Sequence, residues 1–309
     1  MRVFLAGASG AIGRRLLPLL LAAGHEVTAL ARSPARAEQL RAAGAETAIA
    51  DALDATALRE AVLQARPQAV INQLTSLPRR IDPRRIERDF ERNDRLRSAA
   101  GPALAEAARE AGAQRLIAQS IAFLYEPGPP GTLHGEDDPL IASPPAAAAR
   151  TAEAVKALER ATREQGGTVL RYGYFYGPGS AIAADGSMVA DLRRRRLPVV
   201  GSGQGVWSFV HLDDAAAATV AALDAPAGVY NVVDDDPAPV ARWLPALAQA
   251  TGAPRPIRVP VFLARLLAGD YGVATMTAAQ GASNARARRK LGWSPRLPSW
   301  SKGFQTALG

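Results

Sequence analysis

The chain has no cysteine, only three histidines and, among 37 basic residues, only three lysines: Lys156, Lys290 and Lys302. Without cysteine there is no disulfide scaffold, no zinc ribbon and no thiol nucleophile. His25, His134 and His211 lack metal-ligand spacing, so no metal site is expected. Long apolar runs are also missing. Residues 3–6 are too short for a signal segment and run into glycines, and no window approaches the ~20 apolar residues of a membrane span. A soluble, cytoplasmic protein with no membrane contact is the expectation.

Basic residues outnumber acidic ones 37 to 29, a formal charge of +8. The arginines are nevertheless interleaved with acids, as where Glu87, Asp89, Glu91 and Asp94 punctuate residues 84–97. That is a solvated, ion-paired face, and no nucleic-acid role is expected. The run Arg193-Arg194-Arg195-Arg196 reads the same way, because four consecutive helical residues point in different directions. With 309 residues and 48% apolar content, the chain is long enough for a sizeable core and about two domains.

Apolar strand-like runs at residues 3–6, 27–31, 47–50, 69–72, 115–119 and 168–172 alternate with helical segments at 11–23, 35–43, 55–65, 83–112 and 146–165. This rhythm predicts a doubly wound, Rossmann-type parallel sheet with helices on both faces. Near-continuous apolar strands suit a sheet covered on both sides. Gly101-Pro102 is expected to break or restart its helix, since proline has no amide hydrogen to donate. Past Tyr172 the rhythm gives way to glycine- and proline-rich loops. Residues 1–178 and about 206–234 are therefore assigned to the dinucleotide-binding domain, and 179–205 and 235–309 to a smaller, interleaved substrate-binding portion.

The first strand runs into Gly7-Ala8-Ser9-Gly10-Ala11-Ile12-Gly13 and then an apolar helix. Gly7 permits the tight turn, Gly10 lets backbone amides approach a pyrophosphate, and Gly13 lets helix and strand pack closely. The helix N-terminus adds unpaired N–H groups and partial positive charge. Strand before and helix after are the context this motif requires. The second strand ends in Ala31-Arg32-Ser33, with Arg36 a turn on. A site for NAD usually has an acid here to hold the ribose hydroxyls. A guanidinium and a hydroxyl instead suit a 2′-phosphate, so NADP is expected over NAD. Asp51 is read two ways, as acceptor for the adenine amino group or as cap of the helix beginning near Asp54.

These features resemble the extended short-chain dehydrogenase/reductase family, which includes nucleotide-sugar epimerases and dehydratases. The similarity covers nearly the whole chain. It rests on the three glycines, Asp51, Gln119-Ser120, Lys156, and the string Arg171-Tyr172-Gly173-Tyr174-Phe175-Tyr176-Gly177-Pro178. Further matches are Trp207-Ser208-Phe209-Val210-His211-Leu212-Asp213-Asp214, Tyr230-Asn231-Val232-Val233-Asp234 and Leu291-Gly292-Trp293-Ser294-Pro295. The resemblance implies a cofactor site made by Gly7, Ser9, Gly10, Ala11, Ile12, Gly13, Arg32, Ser33, Arg36, Asp51, Ala52, Leu74, Lys156, Tyr172 and Gly173. It gives Lys156 the nicotinamide ribose and Ser120 the substrate. It also implies pairing through the helices at 83–112 and 146–165, so a homodimer is expected.

Two positions depart from the family. The tyrosine that relays a proton, four residues before the lysine, is Ala152, and no tyrosine lies between Tyr125 and Tyr172. Where nucleotide-sugar enzymes carry an arginine, this chain has Trp207, which cannot pair with a pyrophosphate but can stack on a flat ligand. Tyr174 is the favoured replacement acid. Tyr176, Tyr125, His134, Glu136 and a water relayed by Ser120 are the other candidates, unless the reduction needs no strong acid. Tyr176, Trp207 and His134 are assigned to the substrate pocket. The expected activity is NADP(H)-dependent oxidation or reduction of a hydrophobic small molecule. A non-catalytic dinucleotide sensor and a non-redox epimerase or dehydratase remain open.

Overall fold

The structure, a computed structural model, describes residues 1–78, 80–82, 84–129 and 131–308. Seven parallel strands form the central sheet, in the spatial order Val229–Val232, Thr168–Tyr172, Arg115–Ile121, Ala69–Asn72, Arg2–Ala6, Glu26–Ala31 and Glu46–Ile49. The chain winds outward from Arg2–Ala6 in both directions, so a crevice opens where the winding reverses, at the carboxyl ends of Arg2–Ala6 and Ala69–Asn72. Register places Ala6 opposite both Leu30 and Asn72 there. The seventh strand, Val229–Val232, belongs to the part of the chain whose rhythm is irregular.

Both faces of the sheet are covered, as its apolar strands require. One core joins Val3, Leu5, Leu16, Leu20, Ile71, Tyr172 and Leu212, and the other joins Phe4, Leu58, Val62, Val70 and Leu104. Val3 and Leu5 thus face one layer and Phe4 the other, the alternation that a strand imposes. Helix Gly13–Ala22 buries Leu16, Leu17 and Leu20 on one stripe, each worth roughly 1.5–3 kcal/mol.

The predicted helix at 83–112 is partly realised; Pro83 itself lies outside the described residues. Short helices Ile86–Asp89 and Glu91–Arg95 lead into a widened π segment, Leu96–Ala100, and then into helix Gly101–Glu110. Pro102 has no N–H and crowds the carbonyl four residues back, and the wider turn absorbs that misfit without a break. Gly101 lies against Leu158, which brings helix Ala146–Glu164 close.

Beyond Tyr172, short pairs of strands and helices gather around a third core of Tyr176, Val189, Trp207, Phe209, Trp243, Trp300 and Phe304. Helix Val261–Thr277 bends at Gly269, whose φ of +68° no helical residue adopts. No described helix is long and apolar enough to cross a membrane.

Candidate active site

The glycine turn lies at the crevice. Gly7 has φ +94°, a conformation that favours glycine. A side chain there would strike the Gln73 carbonyl, and one at Gly13 would strike the Gly7 carbonyl. At Gly10 the one heavy atom near an added Cβ is the Gly7 carbonyl oxygen, 3.2 Å off, so its other flank is open. No side chain caps helix Gly13–Ala22 at Ile12, and the Ala11, Ile12 and Gly13 N–H groups have no partner among the described residues, which leaves them for an anion. The turn therefore fits a dinucleotide diphosphate. Ser9, Ala11 and Ile12 supply its backbone, and Leu74, whose N–H is held by Asn72 Oδ1 at 3.1 Å, lies against Gly7 from the neighbouring strand.

At the adenosine end the three polar candidates separate. Ser33 is the N-cap of helix Pro34–Ala42, its hydroxyl accepting from the Arg36 N–H. The Arg36 guanidinium donates to Gln39 Oε1 at 2.7 Å. Arg32 is exposed and makes no side-chain hydrogen bond among the described residues. Asp51 does not cap the next helix; Asp54 does, accepting from the Ala57 N–H. Asp51 accepts from Leu53 N–H and from Arg92 at 3.3 Å. The Leu53 N–H, then Arg92 and Arg32, hold its carboxyl below the usual range. Ala52 is buried beside it in the second core.

Several expected site residues turn out to be structural. Ser120 is buried and gives its hydroxyl hydrogen to Glu159, 2.5 Å away. Glu159 in turn holds Arg171 at 2.9 and 2.7 Å, and Arg171 donates to the Tyr125 hydroxyl, which donates to Asn231. This closed network takes Ser120 and Tyr125 out of the running for proton transfer. Glu136 joins it by accepting the Asn231 N–H. His134 has both ring nitrogens occupied, by Asp138 at 3.0 Å and Gln280 at 2.7 Å, and its ring stacks on Tyr125. It pins its loop and does not face a pocket.

Tyr172 is likewise in the core rather than on the cofactor. Its hydroxyl is shared with Gln73 and Thr219, and burial pushes it up to about 12. A side chain at Gly173 would run into the Ser208 carbonyl, so its glycine serves packing. Tyr176 is fully buried against Phe304 and His211, and Gly303 is what makes room for its hydroxyl. It too leaves the substrate pocket.

Tyr174 and Trp207 form a single unit. Tyr174 is stacked between Phe123 and Trp207, with ring centroids 4.3 and 3.8 Å apart and planes within 14°. Burial drives the Tyr174 hydroxyl well above its ordinary value, so it stays protonated and is a poor proton donor. Trp207 is buried, with its indole N–H on the Thr275 carbonyl at 2.9 Å. Its faces pack on Tyr174 and Trp243, which makes it core first and pocket wall only through Tyr174.

Lys156 extends from helix Ala146–Glu164 to a partly exposed position where its ammonium meets Glu153 at 2.9 Å. One turn earlier Ala152 is 0% exposed. The tyrosine position is therefore sealed as well as changed in identity. The Arg171–Glu159 network was missed by sequence reasoning, although Glu159 stands three residues after Lys156, on the helix that was singled out. Among the described residues no cluster of histidine, aspartate and glutamate could hold a metal.

Known proteins bear on this arrangement. Residues 3–233 match the model of the NAD dependent epimerase/dehydratase family. A Streptomyces protein named 3-diazoavenalumate denitrifying reductase is 46% identical over 98% of this chain and 99% of its own. A Thermus thermophilus UDP-glucose 4-epimerase, solved with NAD, superposes with a TM-score of 0.75 at 25% identity, over 99% of this chain and 97% of that one. The human epimerase family protein SDR39U1, solved with NADPH, gives 0.75 at 22% identity over 99% of both chains, a likeness of fold. The protein is an enzyme of oxidoreductase type that uses a nicotinamide cofactor. The chain belongs to the NAD dependent epimerase/dehydratase family, whose model it matches from Val3 to Val233.

Proposed function

We propose that the protein is an NADPH-dependent reductase of a flat, electron-poor diazo compound, which it strips of dinitrogen. One observation carries this reading: among the described residues, none of the expected proton donors is positioned for transfer. The tyrosine position is the sealed Ala152, Ser120 is bound to Glu159, and His134 has both nitrogens occupied. Reduction of a carbonyl needs a proton on oxygen as the hydride arrives on carbon.

A diazonium carbon does not. When bound, the dihydronicotinamide supplies a hydride, and the balance is Ar–N2+ plus H− giving Ar–H plus N2. The C–H bond forms from the hydride pair, while the C–N pair departs with dinitrogen. No acid or base is consumed. The name of the 46% identical Streptomyces relative describes this class of reaction on a diazo substrate.

This chain's residues then have three tasks. The glycine turn and the uncapped helix start hold the diphosphate. Arg32 meets the 2′-phosphate, which favours NADPH, and Lys156 is the candidate for the nicotinamide ribose. The Phe123–Tyr174–Trp207 stack offers an apolar wall at the carboxyl edge of the sheet, where a planar substrate loses little by leaving water. The test uses NADPH deuterated at the transferring position and an arenediazonium salt. Cofactor oxidation with deuterium on the carbon that bore nitrogen is the expected result. Unchanged cofactor, or a product that keeps both nitrogens, would refute it.

A further inference from the structure

Helix Val261–Thr277 presents apolar residues to water. In its first two turns Phe262 is 70% exposed, Leu263 40%, Leu266 75% and Leu267 59%. Of residues 261–268, Ala264 alone is buried, against Val200 and Val273. At about 100° per residue, Phe262 and Leu266 make one row and Leu263 and Leu267 the next. Together they form an apolar face about 140° wide, turned away from Ala264. Apolar residues scattered over a surface are ordinary, whereas a contiguous set marks a contact.

The charge around this face has one sign. Residues 192–212 and 237–269 contain eight arginines and no aspartate or glutamate. The fold joins the two stretches. Arg258–Val259 pairs in parallel with Val199–Val200, and the Val199 N–H donates to the Ile257 carbonyl at 2.9 Å. Four of the arginines are engaged. Arg193 and Arg258 donate to backbone carbonyls, while Arg242 pairs with Asp236 and Arg265 with Asp270, acids just outside the stretches. The other four, Arg194, Arg195, Arg196 and Arg255, are exposed and have no side-chain partner among the described residues. Helix Ser187–Arg193 stops before them, and Arg195 has φ +57°, so the run is not the helical face its sequence suggests. Arg196 and Arg255 each stand three residues ahead of the paired strands. The unpaired charge is therefore gathered beside the segment that leads into the apolar helix.

We propose that this face docks on an anionic lipid surface, with Phe262, Leu263, Leu266 and Leu267 at the acyl boundary and the four unpaired arginines among the headgroups. The sign of the charge selects the partner. A second copy seated on the same face would set these arginines against their own equivalents, with no acid between them. The shape selects lipid over an acidic protein. The four apolar side chains protrude as a ridge, which acyl chains can close around and a folded partner could meet only with a matching groove. Arginine stems are long enough to lie along the ridge and carry their guanidinium groups to phosphate oxygens. The expectation of no membrane contact is thereby reversed. No described helix can cross a bilayer, but a helix lying in its interface need not.

The test floats the purified full-length protein with vesicles of phosphatidylcholine, alone or mixed with phosphatidylglycerol. Binding is expected to the anionic vesicles only, and it should weaken as salt is raised. Arg194→Gln combined with Arg196→Gln should weaken it roughly 25-fold, about fivefold for each charge. Phe262→Ser combined with Leu266→Ser should weaken it roughly 100-fold. Phe262→Trp should bind as the wild type does, with its emission quenched by lipids brominated in the acyl chain. All four positions are exposed, so every variant should melt with the wild type. Equal binding to neutral vesicles would overturn the anionic assignment. Binding that the serine variant leaves unchanged would overturn insertion at this face. Sedimentation velocity covers the other occupants. A dimer that the serine variant dissolves would give the face to a second copy. A monomer that ignores anionic vesicles even at low salt would also overturn the proposal and leave the face to an acidic protein.

Discussion

Ser120 and Glu159 are joined by a 2.5 Å hydrogen bond between strand Arg115–Ile121 and helix Ala146–Glu164, buried at both ends. The serine therefore steadies the carboxylate that holds Arg171. Ser120→Ala leaves one Glu159 oxygen with a donor fewer in a dry setting. A loss of about 1.5–3 kcal/mol is expected, the scale for a hydrogen bond to a charged group. Urea unfolding measures it. Cofactor affinity and turnover per folded molecule should not change; a large fall in turnover at unaltered stability would return Ser120 to the substrate.

This pair also shows where sequence reasoning succeeds and where it stops. The six strands, the glycine turn and the helix at 55–65 were legible because local patterns determine them: continuous apolar runs, glycine spacing and helical apolar periodicity; the cap of that helix, Asp54 in place of the expected Asp51, was not. Which face of a strand end a residue occupies is not local. Ser120 and Ile121 are adjacent and point opposite ways, and a one-residue choice decided between a catalytic serine and a structural one. His134 and Tyr176 were misjudged for a related reason. Their partners, Gln280 and Phe304, lie more than a hundred residues away, and nothing near either residue announces them.

At Ala152 the sealed environment makes the opposite prediction from a vacant pocket. Putting tyrosine there does not restore an acid, because no space adjoins the Cβ. Ala152→Tyr should cost about 1–3 kcal/mol through overpacking between helix Ala146–Glu164 and its neighbours. It should add no carbonyl reductase activity. A variant as stable as the wild type would show that the position opens onto the crevice.

Asp234 gives the fold a pH dependence of definite sign. It is buried, its Oδ2 has no partner among the described residues, and burial, with Asp235 and Asp236 nearby, pushes it up to about 8. The folded state therefore keeps a proton that the unfolded chain, at its ordinary value of 3.8, releases. Stability contributed by the protonated form is lost as pH rises between the two values. Asp234→Asn removes the titration. Thermal melts should show little difference from wild type near pH 4 and a widening gain for the variant up to about pH 9. A gap that does not vary with pH would contradict the raised value.

Arg32 is what remains of the predicted phosphate-binding trio once Ser33 is used as a helix cap and Arg36 is turned to Gln39. Its guanidinium is exposed, so the proposed pairing with a 2′-phosphate would be made in a screened setting. Its worth is that of a charge-assisted hydrogen bond, about 1.5–3 kcal/mol, or roughly 10- to 150-fold in affinity. Arg32→Ala should weaken NADPH by that factor and leave NADH untouched. Equilibrium fluorescence titration of both dinucleotides reads the difference directly. Raising the salt concentration should reduce the wild-type preference for NADPH, because exposed charges are screened within about 8 Å at physiological ionic strength. Equal affinity for the two cofactors in the wild type would remove Arg32 from the site.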